Sequence, residues 1–354
     1  MKRARSEKIF VGLFIPTVVI FYLLYKYPLW FVDDISTLMP FGKNLSFWYA
    51  LVYTFTVDYF ALKILIKKTN VYSVNRNKPG LLNSYQTWKF SSIVLVQTLV
   101  YFLIPFIISP ILSGADFWND TPKLAAKTAH VYVYPAFTSW GIAAYVFIVI
   151  PIVVWFFGKR YCTWFCSCGN LAEVIGTTPW GKKWVQNGTP RGLKAKMIEQ
   201  LSTIILVFAV LFGLILFLDG IKIITSPGLV EGIQNTQDLL IDFLFGSAIG
   251  IGAYPFMGTR VWCRYGCPLA KGMQLFGKIS HSRFKVSADE NCKGYGLCTR
   301  ACPMGIDVAA YAHKDRKPIF GSFGLEEPCI GCGGCISICP VDALKFGDIQ
   351  KLSE

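Results

Sequence analysis

The sequence predicts an all-α polytopic membrane domain of six transmembrane helices over residues 1–283, followed by a small cysteine-rich α+β domain over residues 284–354. Three observations predict it. The 354-residue chain is 53% hydrophobic and 16% aromatic but only 16% charged, whereas a soluble domain is usually about a quarter charged. Long uncharged apolar runs recur up to residue 259. From about residue 284 those runs stop, and Gly, Cys, Pro and charged residues take over.

The runs Ile9–Tyr25, Phe90–Ala115, Val131–Gly158, Gln200–Leu218 and Phe243–Thr259 contain no Asp, Glu, Lys or Arg. A membrane span needs about 20 apolar residues, roughly 17 at the short end, so all five qualify. The sixth, Phe47–Ile66, is interrupted by Asp58 and Lys63 but keeps an aromatic and β-branched filling. Pro16, Pro105, Pro110 and Pro151 fall inside runs; membrane helices tolerate proline where neighbours satisfy the freed carbonyl.

Lysine and arginine counts set the orientation. With the N-terminus inside, 17 of these residues in the leader and the 63–89 and 158–198 loops are cytoplasmic, against five outside: Lys26, Lys43, Lys123, Lys127 and Lys222. Both termini are then cytoplasmic. The expected location is the bacterial cytoplasmic (inner) membrane, crossed several times. The leader MKRARSEK precedes an apolar run with no small-x-small cleavage site, which reads as an uncleaved first helix. The net charge of +14 is accounted for by these topology signals. No basic run carries the aromatic or motif support that nucleic-acid binding needs.

This topology puts all 12 cysteines on the cytoplasmic side or at its membrane boundary. The cytosol keeps thiols reduced, so metal or redox chemistry outranks disulfides. The stretch CIGCGGCISICP holds Cys329, Cys332, Cys335 and Cys339 before Pro340, the C-x2-C-x2-C-x3-C-P run of a two-cluster ferredoxin. Two-residue gaps wrap the chain around one face of a cubane, and Gly331, Gly333 and Gly334 permit the tight turns. A zinc knuckle would want two separated pairs. The second run is CKGYGLCTRACP, with Cys292, Cys298, Cys302 and Pro303, and with Tyr295 where a middle cysteine belongs. Such runs ligate crosswise. One [4Fe-4S] cluster is expected on Cys302, Cys329, Cys332 and Cys335. The other site has Cys292, Cys298 and Cys339, which suits a [3Fe-4S] cluster or an atypical [4Fe-4S] cluster with Tyr295 as fourth ligand; simple packing of Tyr295 is the plainer alternative. A short helix is expected over Ile306–Ala312, with His313 on the surface.

The stretch GKRYCTWFCSCGNLAEVIG (158–176) has a second copy, GTRVWCRYGCPLAKGMQLFG (258–277). Each follows an apolar run and reads C-x3-C, then Leu-Ala, then a short amphipathic stretch closing on Gly. Two related units thereby bring Cys162, Cys166, Cys263 and Cys267 to one membrane depth. The Gly-Asn after Cys168 and the Pro after Cys267 suit helix N-termini, which would aim N–H groups at an anionic centre, and Lys159, Arg160, Arg260 and Arg264 would offset its charge. A third iron–sulfur centre at the membrane boundary is the expectation; soft thiolates also suit Cu(I). Cys168 has Leu269 as its counterpart and reads as a spare, or as a reactive thiol in a redox-sensing regulator, for which no output domain is present.

Paired C-x3-C elements on membrane helices, followed by CIGCGGCISICP, resemble the polytopic iron–sulfur proteins of the nitrate-reductase quinol-oxidation family. The membrane iron–sulfur regulator of nitrous oxide reduction and the cbb3-oxidase assembly protein are similar too. The resemblance covers roughly residues 90–354. It implies a membrane electron carrier linked to the quinone pool or, in the assembly branch, a copper reductase. Three positions depart from the pattern: Ser167 for an expected Pro, the extra Cys168, and Tyr295 for a cysteine.

No C-x-x-C-H haem motif is present, and His130 and His281 do not make a pair at membrane depth, so no haem is expected. No nicotinamide fingerprint follows a strand. Electrons must therefore come from or go to a quinone or another redox subunit. Asp58 reads as the one acid well inside a span. It is a candidate proton site, or a partner of Lys63 or Gln97 in helix packing. Trp155, Phe156, Phe157, Tyr161, Trp164 and Phe165 form an aromatic cluster fit for the interfacial belt or for a flat headgroup. The expected function is quinone-linked electron transfer within a membrane oxidoreductase. The rival is a metal-handling assembly factor that reduces copper at the membrane pairs.

Overall fold

The computed structural model describes residues 5–32, 40–43, 45–72, 83–112, 114, 132–179, 189–223, 227–314, 317–318 and 322–347. Helix α1 covers Arg5–Lys26 with Pro16 inside it, and α2 covers Leu45–Lys67. Helix α3 begins at Ser84, where the Asn83 side chain accepts the Gln86 N–H as an N-cap. It runs to Leu112 through a π-helical stretch, Leu99–Ile108, around Pro105. Helix α4 covers Trp140–Trp164, and a π stretch, Tyr145–Val149, precedes Pro151. Both wide turns have one cause: proline lacks an N–H and its ring crowds the preceding turn, so the helix widens there.

Helix α5 is Ser167–Thr177 and α6 is Gly192–Gly220. Helix α7, Pro227–Thr236, continues into a π-helical stretch, Gln237–Ile249. A short α8, Tyr254–Met257, follows, then α9, Pro268–Ile279.

Among the described residues, four helices are long and apolar enough to cross a membrane: α2, α3, α4 and Ala195–Gly220 of α6. The apolar part of α1, Lys8–Leu24, is shorter. Two expected spans take a different form. Within the Val131–Gly158 run the long helix begins at Trp140, after a 3-10 turn, Tyr134–Phe137, at Pro135. The Phe243–Thr259 run is divided at Ala253, between Gly252 and Pro255, where helix-forming tendency is lowest.

Helices α2 and α3 pack through Val57, Ala61 and Ile64 against Phe90 and Ile93, with Leu171 and Val174 of α5 completing the contact. The opposite face of α2 exposes Val52, Phe55, Tyr59, Leu62 and Ile66, an apolar surface suited to lipid rather than water.

The cysteine-rich part has a three-stranded antiparallel sheet. Strand β1 (Val286–Ala288) lies between β4 (Ser322–Phe323) and β5 (Leu344–Phe346). A separate ribbon pairs β2 (His313–Lys314) with β3 (Lys317–Pro318). Two equivalent short helices, α10 (Leu297–Ala301) and α12 (Gly334–Ile338), each start from a left-handed glycine, Gly296 at φ 67° and Gly333 at φ 72°, a conformation other residues adopt only with strain. Helix α11, Val308–Ala312, lies within the expected Ile306–Ala312 segment; the His313 side chain falls outside the described residues. One continuous core joins the two parts: Ile150 and Val154 of α4 and Met273 of α9 cluster with Phe284, Val286, Leu325 and Ile330.

Candidate metal centres

The C-terminal cysteines fall into two groups around two small cavities. One is lined by Cys302, Cys329, Cys332 and Cys335, together with Met304, Ile306, Ile330 and Phe346. The other is lined by Cys292, Cys298 and Cys339, with Tyr295, Pro340 and Val341. The crossing is topological. Cys302 and Cys339 end α10 and α12 as C-caps, so each short helix carries its last cysteine across to the neighbouring group.

The first group suits an anionic cluster. The Cys329 sulfur accepts the Gly331 N–H at 3.4 Å. Cys302 accepts from the N–H groups of Ile306 and Met304, and Cys332 from that of Gly334. Burial pushes the thiols of Cys302, Cys329 and Cys335 up, and that of Cys332 to about 12. Buried thiolates lacking cations are costly; cluster iron supplies that positive charge. In the second group burial raises Cys298 to about 11. The Tyr295 ring is 53% exposed, so much of it lies in solvent beside three half-buried or buried sulfurs.

The two C-x3-C elements adopt matching conformations. Gly158 breaks α4 after Phe157 and Gly258 ends α8, at φ 61° and 81°. Cys166 and Cys267 are the N-caps of α5 and α9, at φ −71°, ψ 124° and φ −77°, ψ 114°. The Cys267 sulfur accepts the Ala270 N–H at 3.4 Å, and Cys166 accepts from Gly169 and Cys168. Cys162, Cys166, Cys263 and Cys267 are all buried, and Cys267 lies close enough to feel the charges of the other three. Cys168, expected as a spare, shares a hydrogen bond with Cys166 and lies within electrostatic reach of Cys263 and Cys267. Gly169 seals the group from behind: a Cβ there would stand 1.8 Å from the Cys162 carbonyl oxygen. All twelve cysteines are free of disulfides. Among the described residues, no three His, Cys, Asp or Glu side chains are arranged to hold a single metal ion.

Polar side chains on the membrane helices grip the cysteine-rich part by the loop that carries Cys329 and Cys332. Thr163 Oγ1 donates to the Ile330 carbonyl at 3.2 Å, and Tyr85 OH to that of Gly331 at 2.5 Å. Gln86 Nε2 and Lys89 Nζ both donate to the Cys332 carbonyl at 3.0 Å. Lys89 also pairs with Glu173 Oε1 at 2.5 Å, while Arg260 Nη2 pairs with Glu173 Oε2. These three side chains are 0–2% exposed. Arg260 Nη1 donates to the Cys162 carbonyl at 3.2 Å and approaches the Cys263 sulfur at 3.8 Å. Burial alone would raise the Glu173 carboxyl, but Lys89 and Arg260 outweigh it and hold it below its ordinary value.

Other expected residues are placed differently. Arg160 stacks over Phe346 at 4.2 Å and over Tyr85 and Phe284. Arg264 pairs with Glu199 at 2.5 Å and donates to the Pro190 carbonyl at 2.7 Å. Arg160 therefore holds the cysteine-rich part, and Arg264 ties the second element to α6 and the segment before it, rather than offsetting charge at the membrane pairs. Asp58 pairs with neither Lys63 nor Gln97: Thr98 Oγ1 donates to its Oδ2 at 2.6 Å, while Lys63 sits over the Tyr59 ring. Asp58 Oδ1 has no hydrogen-bond partner and lines a groove with Leu51, Phe55 and Tyr59. Asp242 lies inside the π stretch of α7 and accepts from Tyr22 at 3.2 Å and from Tyr132. In the aromatic cluster, Trp164 Nε1 donates to Tyr85 OH at 3.1 Å, while Phe156, Phe157 and Phe165 are exposed.

Lys89, Glu173, Gln86 and Asp242 escaped sequence reasoning. Asp242 sits one residue before an uncharged run, and Lys89 one residue before another. Glu173 carried one available signal: it occupies the Leu-Ala-x position of the first element where the second has Lys271, an acid in a segment otherwise small and apolar.

A family model for a 4Fe-4S dicluster domain matches residues 290–344. An uncharacterized protein of Methanocaldococcus jannaschii is 25% identical over 205 residues, 57% of this chain and 70% of that one. YccM of Escherichia coli strain K12, whose name proposes a role in electron transport, is 26% identical over 216 residues, 58% of this chain and 54% of YccM. One subunit of the ion-translocating oxidoreductase complex of Aliivibrio fischeri is 49% identical over 45 residues, 12% of this chain and 23% of that subunit. No solved structure matches. The chain thus carries a 4Fe-4S domain at its C-terminal end behind helices of membrane-spanning character. The resemblance to the nitrate-reductase and nitrous-oxide branches is not among these findings.

Proposed function

We propose that this protein is a membrane-bound electron-transfer protein that carries electrons between the quinone pool and a redox partner. In this reading residues 1–283 form the membrane domain, with α1 and the α7 segment completing six crossings, and residues 284–354 form the cytoplasmic two-cluster domain. The observation that carries the proposal is the grip of α3 and α4 on the Cys329–Cys332 loop, at 2.5–3.2 Å from the Ile330, Gly331 and Cys332 carbonyls. It supports a reading in which one cluster site lies against the end of the membrane helices and the other, beside exposed Tyr295, lies away from them.

Cys302, Cys329, Cys332 and Cys335 would hold a [4Fe-4S] cluster. Cys292, Cys298 and Cys339 would hold a [3Fe-4S] or atypical [4Fe-4S] cluster, and Cys162, Cys166, Cys263 and Cys267 a third centre. When bound, each centre supplies one-electron transfer. The chain's own residues do the rest: cysteine thiolates and amides hold negative charge, and the apolar core around them excludes water. A quinol gives up two protons with its two electrons, and Asp58 and Asp242 are the carboxylates at membrane depth able to take them. Exposed Tyr295 marks the outward site as the exchange point with a soluble redox subunit.

Metal analysis of the purified protein tests this function. Iron and sulfide for three centres without copper is the expected result. Copper together with iron for only two clusters would overturn it in favour of the assembly-factor reading. The topology has its own test. A reporter fused to the C-terminus should be active only when cytoplasmic; activity confined to an oxidising outer compartment would sink the orientation.

A further inference from the structure

We infer that Glu173 is a positioning residue shared by two centres, one carboxylate that jointly sets the potentials of the membrane-boundary centre and the adjacent [4Fe-4S] cluster. The inference rests on the reading that Cys162, Cys166, Cys263 and Cys267 hold an iron–sulfur centre. Glu173 lies between the two cysteine groups and is tied to both. Through Lys89, at 2.5 Å, it reaches the Cys332 carbonyl. Through Arg260 it reaches the Cys162 carbonyl and the Cys263 sulfur. The charge of Arg260 is felt by both Cys263 and Cys332, and that of Glu173 by Cys332. Lys159, 1% exposed, adds a further cation whose charge reaches Cys162, Cys263 and Cys329.

The balance of charge explains why an acid is needed there. Lys89, Arg260 and Lys159 would place three positive charges between two groups of thiolates. Glu173 removes one and holds the orientation of two. Buried charges are screened much less by salt than exposed ones and interact over longer distances. A single change at Glu173 is therefore felt on both sides. The other cluster site is the internal control, since Cys298 senses Cys292, Cys339 and Thr299 rather than this network.

The test is a potentiometric EPR titration of the full-length protein as Glu173→Gln and Lys89→Gln. Loss of the carboxylate charge favours the reduced, more negative form of each centre. At the wild-type midpoint, Glu173→Gln should raise the reduced-to-oxidised ratio of both centres about tenfold, which is 59 mV for a one-electron couple. The Cys292, Cys298 and Cys339 site should not move. Lys89→Gln should shift the adjacent cluster in the opposite direction. Unchanged midpoints in iron-replete variants, or a shift of one centre alone in Glu173→Gln, overturns the shared role. If Glu173→Gln loses iron, Lys89→Gln decides by its sign; iron loss in both variants marks the network as a folding element and overturns the tuning role. A wild type without a third centre overturns the underlying reading and this inference together, and that result is visible before any variant is made.

Discussion

Cys263→Ser should remove one iron–sulfur centre from the protein and leave the signals of the C-terminal clusters intact. Cys263 is buried, accepts from Arg260 at 3.8 Å, and shares its surroundings with Cys162 and Cys166. A serine hydroxyl is a harder and less acidic donor than a thiol, so the anionic ligand is lost while the backbone keeps its course. The C-terminal cysteines stand in separate cavities, which is why their spectra should survive. Iron and acid-labile sulfide, measured with EPR, check the loss. Cys168→Ser should cost much less iron; an equal loss would make Cys168 a ligand, as its hydrogen bond to Cys166 allows. If Cys263→Ser leaves iron and sulfide unchanged, the four membrane cysteines hold no cluster and the copper-handling reading moves ahead.

Tyr295→Cys should convert the outward site from [3Fe-4S] to [4Fe-4S]. The oxidised wild type should show a [3Fe-4S] EPR signal from the site of Cys292, Cys298 and Cys339. Residue 295 lines the same cavity as those three cysteines, and a cysteine there restores the full ligand run. The half-exposed tyrosine ring leaves room for the smaller side chain without repacking. The variant should lose the oxidised signal and gain that of a reduced cubane after dithionite. Only [4Fe-4S] spectra in the wild type, before and after mild oxidation, would mean that another group completes the site.

Much of the architecture was legible because its signals are local. The apolar runs around residues 47–66, 90–112 and 200–218 became α2, α3 and the apolar length of α6, since a helix in lipid must be largely apolar over its own length. Cys302 lines a cavity with Cys329, Cys332 and Cys335 because the short helix before it carries the chain from one cavity to the next. The repeat of the C-x3-C element was likewise legible, although the first short helix starts at Ser167, with Cys166 as its N-cap, rather than after Cys168. Less legible was where an apolar run stops being one helix. Pro135 and the Gly252–Pro255 region each divide a run that hydropathy treats as continuous, because hydropathy measures transfer to lipid and ignores backbone hydrogen bonding.

The sequence by itself determined the chemistry: soft thiolates in cluster spacing, held behind membrane helices by a chain with no haem or nicotinamide motif. Tertiary structure alone decided how the parts meet. Lys89 and Glu173 are 84 residues apart and Arg260 is 87 beyond Glu173, and no pattern in the sequence joins them. It also decided that Arg160 serves the docking of the cysteine-rich part, that Arg264 pairs with Glu199, and that Asp58 turns to Thr98. The physical reason is burial. A charge costs too much to leave alone in a dry interior, so its partner is whichever opposite charge or dipole the packing brings within about 3 Å, and packing is a property of the whole fold.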